Sequence, residues 1–292
     1  MTELRAPFPY PGGKSRIAEI VWSALGDVAS YLEPFCGSCA VLLGRPGGAG
    51  KYELVNDANG LVVNVWRALK FAPSSVAKFC DDPPSEVDLR ARAAELKKRA
   101  ASLTASLEEY PEGFDAQAAG WWIWCQAVGL GPDWFSQTRP SMIKPYRRGI
   151  LSPEATPAHE WFAAIQKRIE RVGLACGDFE RLLTESALGF NNTGTTPTGI
   201  FADPPYPGEA LDYDSAPDVA QRFAAWALMH GNDDRLRIVL AGHEGDYTLP
   251  GWRVVNWGGS RGWGRERRGD NECLWLSPHC EQQRNLFSKV GT

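Results

Sequence analysis

Asp203, Pro204, Pro205 and Tyr206 are the stretch of this chain best equipped for chemistry. They follow Gly199-Ile200-Phe201-Ala202, an apolar run that reads as the end of a buried strand. The prolines have no N–H to donate, so the turn offers a carboxylate, free carbonyl acceptors and an aromatic face together. Such a set suits a planar ring bearing an exocyclic amino group. A proline-rich turn without a ligand is the alternative reading of these residues alone.

Three further stretches have chemical content. Glu33-Pro34-Phe35-Cys36-Gly37-Ser38-Cys39 reads as a strand-to-helix turn of small residues, where a backbone can approach a ligand closely. Asn56-Asp57 ends the next strand. An acidic residue there can hold ribose hydroxyls, and helix capping explains it equally well. Pro11-Gly12-Gly13-Lys14 opens a helix and suggests an anion, such as a carboxylate, near its start. The spacings G-x-G-x-x-G and G-x-x-x-x-G-K-S/T are absent, which disfavours a nicotinamide-dependent oxidoreductase and a Walker-type phosphate site.

The elements that must position these residues alternate between strand and helix. Ile17, Ile20, Val21, Ala24 and Leu25 share a helical face. Tyr31 to Phe35 and Tyr52 to Val55 read as strands, and Asn56-Asp57 as the cap of a helix carrying Val62, Val65, Trp66 and Leu69. Residues 72–88 are rich in Pro, Ser and Asp and read as a linker. Leu89, Leu96 and Leu103 predict an amphipathic helix over 89–109, exposed or one arm of a hairpin. Trp121-Trp122-Ile123-Trp124 reads as core of this region, and 129–157 as loop. The alternation resumes with strands at 172–175, 199–202 and 236–241. A helix follows over Val219, Phe223, Trp226 and Ala227, and a hairpin joins 252–257 to 272–276. The result is an α/β domain interrupted by about 100 residues.

At 292 residues and 43% apolar content, the chain supports a full core. No run matches a membrane span or a secretion signal, so a soluble cytoplasmic protein is expected. Seven cysteines, an odd number, read as reduced thiols. Cys36 and Cys39 admit redox or half-zinc readings, with small packing residues preferred; no metal is expected. The net charge of −4 argues against a nonspecific coat on nucleic acid. Two basic groups nevertheless suit phosphate contact, against the alternative of solvated loops. They are Arg139, Lys144, Arg147 and Arg148, and Arg261, Arg265, Arg267 and Arg268.

In chain order the fragments are Pro-Gly-Gly-Lys, Glu-Pro-Phe-x-Gly, Asn-Asp-x-Asn, Gly-Asp-Phe and Asp-Pro-Pro-Tyr. This order resembles the alpha-group, Dam-like family of DNA adenine N6-methyltransferases over residues 7–70 and 172–277. The resemblance implies a Rossmann-like S-adenosylmethionine-dependent methyltransferase sheet with helices on both faces. It assigns 1–71 and 172–292 to the catalytic domain and 72–171 to an inserted, mostly helical target-recognition region. It implies S-adenosylmethionine as cofactor and double-stranded DNA as partner. Tyr10, Lys14, Glu33, Phe35, Gly37, Ser38, Asp57, Asp178 and Phe179 would bind the cofactor. Asp57 would take the ribose hydroxyls, and Asp178 with Phe179 the cofactor's adenine. Asp203, Pro204, Pro205 and Tyr206 would be the catalytic turn, acting on a base flipped from the duplex. Two departures stand out: Cys39 replaces the family's last turn glycine, and the insertion lacks its usual Asn. Rival readings are a cytosine N4, RNA or protein-glutamine methyltransferase, and a non-catalytic DNA-binding protein on the same scaffold.

Overall fold

The computed structural model describes residues 4–10, 14–130, 134–135, 137–142, 156–190, 197–205, 218–257 and 272–282. Among the described residues seven strands form a single sheet: β1 Ser30–Glu33, β2 Tyr52–Asp57, β3 Gly173–Cys176, β4 Thr198–Ala202, β5 Leu236–His243, β6 Arg253–Asn256 and β7 Glu272–Leu276. Their order is β3-β2-β1-β4-β5-β7-β6. The first five are parallel, and β7 is antiparallel to both β5 and β6. This is the Rossmann-like sheet expected from the sequence, with the expected terminal hairpin at its edge. Strand order reverses between β1 and β4, which opens a crevice beyond their carboxyl ends.

Period-two alternation divides the strands between two cores. Tyr31, Phe201, Leu274 and Leu276 share one with α1 (Ala18–Leu25), α2 (Ala40–Leu43) and α3 (Gly60–Phe71). Leu32, Ile200, Ala202, Cys273 and Trp275 face the other, with α8 (Val219–His230). The helix of β2's connection starts later than the sequence suggests. Asn56 and Asp57 belong to β2, and Asn59 caps α3 by accepting the Leu61 N–H at 2.9 Å.

The stretch read as a linker is folded. Pro73 starts a short helix, α4 (Pro73–Ala77), and Ser85 caps α5 (Glu86–Glu109). Val76 and Cys80 between them are fully buried. Proline and serine act here as helix-start residues, a use that composition alone does not separate from loop. Leu89, Leu96 and Leu103 of α5 are buried, together with Trp122 and Trp124 of α6 (Ala116–Val128). Asn64 of α3 joins the two regions. It donates to the Asp115 carbonyl at 2.9 Å and accepts the Asp115 N–H at 2.8 Å.

A buried ion cluster fixes α7 (Ala158–Ile169) to the sheet. Glu53 of β2, 2% exposed, receives Arg168 at 2.6 and 3.0 Å and Arg45 at 3.1 Å. Both arginines also donate to carbonyls, of Leu42 and Val28, at 2.7 Å. Removing the single anion leaves two buried guanidiniums uncompensated. Glu53→Gln should therefore lower stability by about 3 kcal/mol. The check is the urea midpoint at unchanged slope; an unmoved midpoint would refute the role given to this cluster.

Candidate active site

The crevice is built first around Gly37, in the turn from β1 to α2. Its φ is +43°, a region that favours glycine. Its N–H donates to Asp57 Oδ2 at 2.9 Å, and its carbonyl accepts Trp66 Nε1–H at 2.8 Å. A Cβ on it would lie 2.7 Å from the Tyr10 ring. The other Asp57 oxygen accepts the Asn59 N–H at 2.9 Å. Burial raises the Asp57 carboxyl to about 6, against the pull of these two backbone donors. Asn56 continues the lacing, donating to the carbonyls of Pro34 and Gly177 at 2.9 Å each. The ends of β1, β2 and β3 are thus held to one another by side chains of β2.

Ser38 and Cys39 complete the turn, both buried. Cys39 has φ of 49°, the only positive φ outside glycine among the described residues. The position where the resemblance expects glycine is therefore a left-handed one, and cysteine occupies it against an intrinsic cost of about 1–2 kcal/mol. Burial pushes the Cys39 thiol to about 11 and raises Cys36 as well, so neither is a reactive thiolate at neutral pH.

Alternation next collects acidic groups on one side of the crevice. Glu33 lies on the Tyr31 side, Asp203 on the Phe201 side, and Glu272 on the side of Leu274 and Leu276, which is one face of the sheet. Lys14 arrives there from the N-terminal segment. Its Nζ is 3.1 Å from Asp203 Oδ1 and 3.9 Å from Glu272 Oε2, and it stands 6.0 Å from the centre of the Trp257 ring. The anion that the glycine-lysine stretch suggested is thus a carboxylate of the protein itself. Glu33, 2% exposed, accepts the Tyr31 hydroxyl at 3.1 Å. Burial raises it to about 8, against hydrogen bonds from Tyr31 and the Leu42 backbone, and the charge of Asp203 adds to the rise. Glu33 therefore holds a proton at neutral pH. Pro204 is buried and Pro205 half-buried beside Asp203.

On the opposite side, Asp178 follows β3 and caps a short 3-10 turn at Phe179–Leu182. Phe179 packs against Phe35 at 5.3 Å and Phe223 at 5.6 Å. Arg222 of α8 grips Asp178 through two nitrogens at 3.0 and 3.1 Å, and its guanidinium lies 5.2 Å from the Phe179 ring. Slight burial would raise Asp178, but the Glu180 N–H and Arg222 outweigh it and hold the carboxyl below its usual value.

The strand ends thus bring together Tyr10, Lys14, Glu33, Phe35, Gly37, Ser38, Asp57, Asp178, Phe179, Asp203, Pro204 and Pro205. Tyr206, Lys144, Arg147, Arg148, Arg261, Arg265, Arg267 and Arg268 lie outside the described residues. Arg139 is exposed, between the bridged residues Gly129 and Met142, and is not part of this group. Sequence reasoning missed Glu272, Trp257, Trp66 and Arg222. Glu272 had a legible signal, its alternation with Leu274 and Leu276. Arg222 had none, because only the fold brings α8 to the end of β3.

A reversed strand order with an acid-proline turn and a small-residue turn at its switch point defines a Rossmann-like α/β fold with a strand-end crevice. Residues 10–100, from Tyr10 through Gly37 and Asp57 into α5, match the family described as D12 class N6 adenine-specific DNA methyltransferase. The match spans the N-terminal third of the chain. Among solved structures, two of the rRNA methyltransferase aviRa from Streptomyces viridochromogenes are similar to this chain. One is 14% identical, with 93% of this chain and 88% of that chain covered and a TM-score of 0.37. The other is 12% identical, with 94% and 87% covered and a TM-score of 0.36. Likenesses this distant say nothing about substrate. No curated protein matches the chain.

Gly37 gives a sharp test of the turn. Gly37→Ala forces a side chain into a left-handed position and against Tyr10, so stability should fall by about 1–2 kcal/mol. Chemical denaturation reads this directly, and an unaltered midpoint would mean that the turn relaxes freely.

Proposed function

We propose that this protein transfers a methyl group from S-adenosylmethionine to the N6 amino group of adenine in DNA, on a base turned out of the duplex. The observation that carries this reading is the Lys14–Asp203 contact at the head of the Asp-Pro-Pro-Tyr turn, across the crevice from the Gly37 turn. The donor set fits the cofactor. Gly37 lets the turn pass against the Tyr10 ring, Asp57 offers a carboxylate to sugar hydroxyls, and Asp178 with Phe179 offers an acceptor and a ring to a purine.

The amino nitrogen of adenine is a weak nucleophile, because its lone pair is shared with the ring. Asp203 accepts one of its N–H bonds and the Pro204 carbonyl the other, which concentrates the lone pair on nitrogen and aims it. When bound, the cofactor supplies an electrophilic methyl group carried on sulfonium. Lys14 favours the ionised form of Asp203, so the carboxylate orients the amine rather than deprotonating it beforehand. Tyr206 stacks on the ring. Positioning of this kind supplies most of the acceleration. Turning the base out costs a few kcal/mol of stacking, offset by its contacts in the crevice. The insertion over 72–171 reads the target. Arg139, Lys144, Arg147, Arg148, Arg261, Arg265, Arg267 and Arg268 contact phosphates, which makes binding salt-dependent.

Labelled cofactor and unmethylated DNA, followed by nucleoside analysis, test the reading. N6-methyladenine is expected; label confined to cytosine, RNA or protein would overturn it. Asp203→Ala should abolish transfer while calorimetry finds cofactor affinity within about threefold of wild type, since the carboxylate's work is orientation. A variant that keeps near wild-type turnover removes Asp203 from the mechanism.

Asp57 adds a pH dependence. Hydroxyl donors favour its charged form, so bound cofactor lowers its pKa, and by linkage affinity rises with pH. With the free carboxyl at about 6, cofactor affinity should fall below that pH and level off above it. Calorimetry between pH 5 and pH 8 checks the trend, which Asp57→Asn should flatten; the opposite slope would exclude a hydroxyl-binding role.

A further inference from the structure

The crevice contains a second carboxylate that the reaction above leaves without a role. Glu272 opens β7, opposite His243 of β5, and faces the same side of the sheet as Asp203. Its Oε2 is 3.9 Å from the Lys14 ammonium, which is 3.1 Å from Asp203. Lys14 is 4% exposed, so its charge needs a carboxylate close by at every stage of a reaction.

We propose that Glu272 is a positioning residue of the methyl-transfer site: it holds the Lys14 ammonium beside Asp203 and takes up its charge when Asp203 becomes neutral. This rests on the adenine-methylation reading. In that reaction the amino lone pair forms the new N–C bond, and the C–S electron pair returns to the sulfur of S-adenosylmethionine. The nitrogen, now cationic, loses a proton. Its N–H pair stays on nitrogen, and an O–H bond forms on Asp203, from which the proton passes to water. While Asp203 is neutral, Glu272 stays charged beside the Lys14 ammonium.

Other titratable groups surround the pair. Asp203 acts on Glu33 of β1. His243, Glu244 and Asp246 lie at the end of β5 and just after it; His243 Nδ1 stands 3.9 Å from Asp246, and the two acids share with Glu272 an influence on Cys273. Tyr247 senses Asp246 and Asp203. Among these described groups, Lys14 is the cation that touches both Asp203 and Glu272.

The test compares wild type with Glu272→Gln and Glu272→Asp. Four quantities are measured: thermal midpoint, cofactor affinity, the pH profile of kcat, and the titration of Lys14 by NMR on 15N-lysine-labelled protein. Gln removes an anion near both partners. Asp203 loses a neighbouring like charge and Lys14 an opposite one. The acidic limb of kcat and the Lys14 titration should each differ from those of wild type. kcat should fall about tenfold through mispositioning, with cofactor affinity and thermal midpoint near wild type. Glu272→Asp keeps the charge and should restore both titrations, which separates this role from a merely structural one. A folded Gln variant with wild-type kcat, or with both titrations unmoved, overturns the proposal. Wild-type protein that methylates no adenine would instead sink the reaction reading, and the Lys14 titration would still decide whether Glu272 holds that ammonium.

Discussion

Lys14 brings a positive charge to a strand-end crevice that alternation has filled with acids. Three strands end or begin there with a carboxyl on the same face: Glu33, Asp203 and Glu272. Like charges at that spacing cannot all be ionised without a counterion. The structure answers in two ways. Glu33, the deepest, keeps its proton, while Asp203 and Glu272 share the ammonium. The same edge therefore presents a neutral acid on one side and a held carboxylate on the other, an inequality set by burial rather than by residue type.

The small-residue side is governed by a different constraint, backbone geometry. Asp57 fixes the turn by accepting two N–H groups, and Trp66 reaches from α3 to hold the Gly37 carbonyl. Here a carboxylate serves the fold and remains available for a ligand, because each oxygen accepts more than one hydrogen bond. The helix cap that the sequence offered to Asp57 falls to Asn59, and Asp57 instead braces the turns on either side of the crevice.

Much of the architecture was legible because strands and helices carry different periods. Every parallel strand, the terminal hairpin and the α5 leucine face follow from apolar spacing. Misreadings arose where one residue type serves two purposes. Pro73 and Ser85 looked like linker and are helix starts, while Asn56-Asp57 looked like a cap and ends a strand. Individual site residues were legible where motif and strand end coincide, as at Asp203 and Gly37. Partners were not, since the Lys14–Asp203, Arg222–Asp178 and Arg168–Glu53 contacts join residues far apart in the chain, and no local pattern encodes them.

The Lys14–Glu272 contact carries a consequence for biosynthesis. The two residues are 272 − 14 = 258 positions apart. At about 5–20 residues per second, a ribosome needs roughly 10–50 s to make the second after the first. Until β7 inserts antiparallel beside β5, a nascent chain holds the small-residue turn and the acid-proline turn without the last carboxylate of the cluster. The last strand among the described residues is thus also the one that brings Glu272 to the charge balance of the crevice.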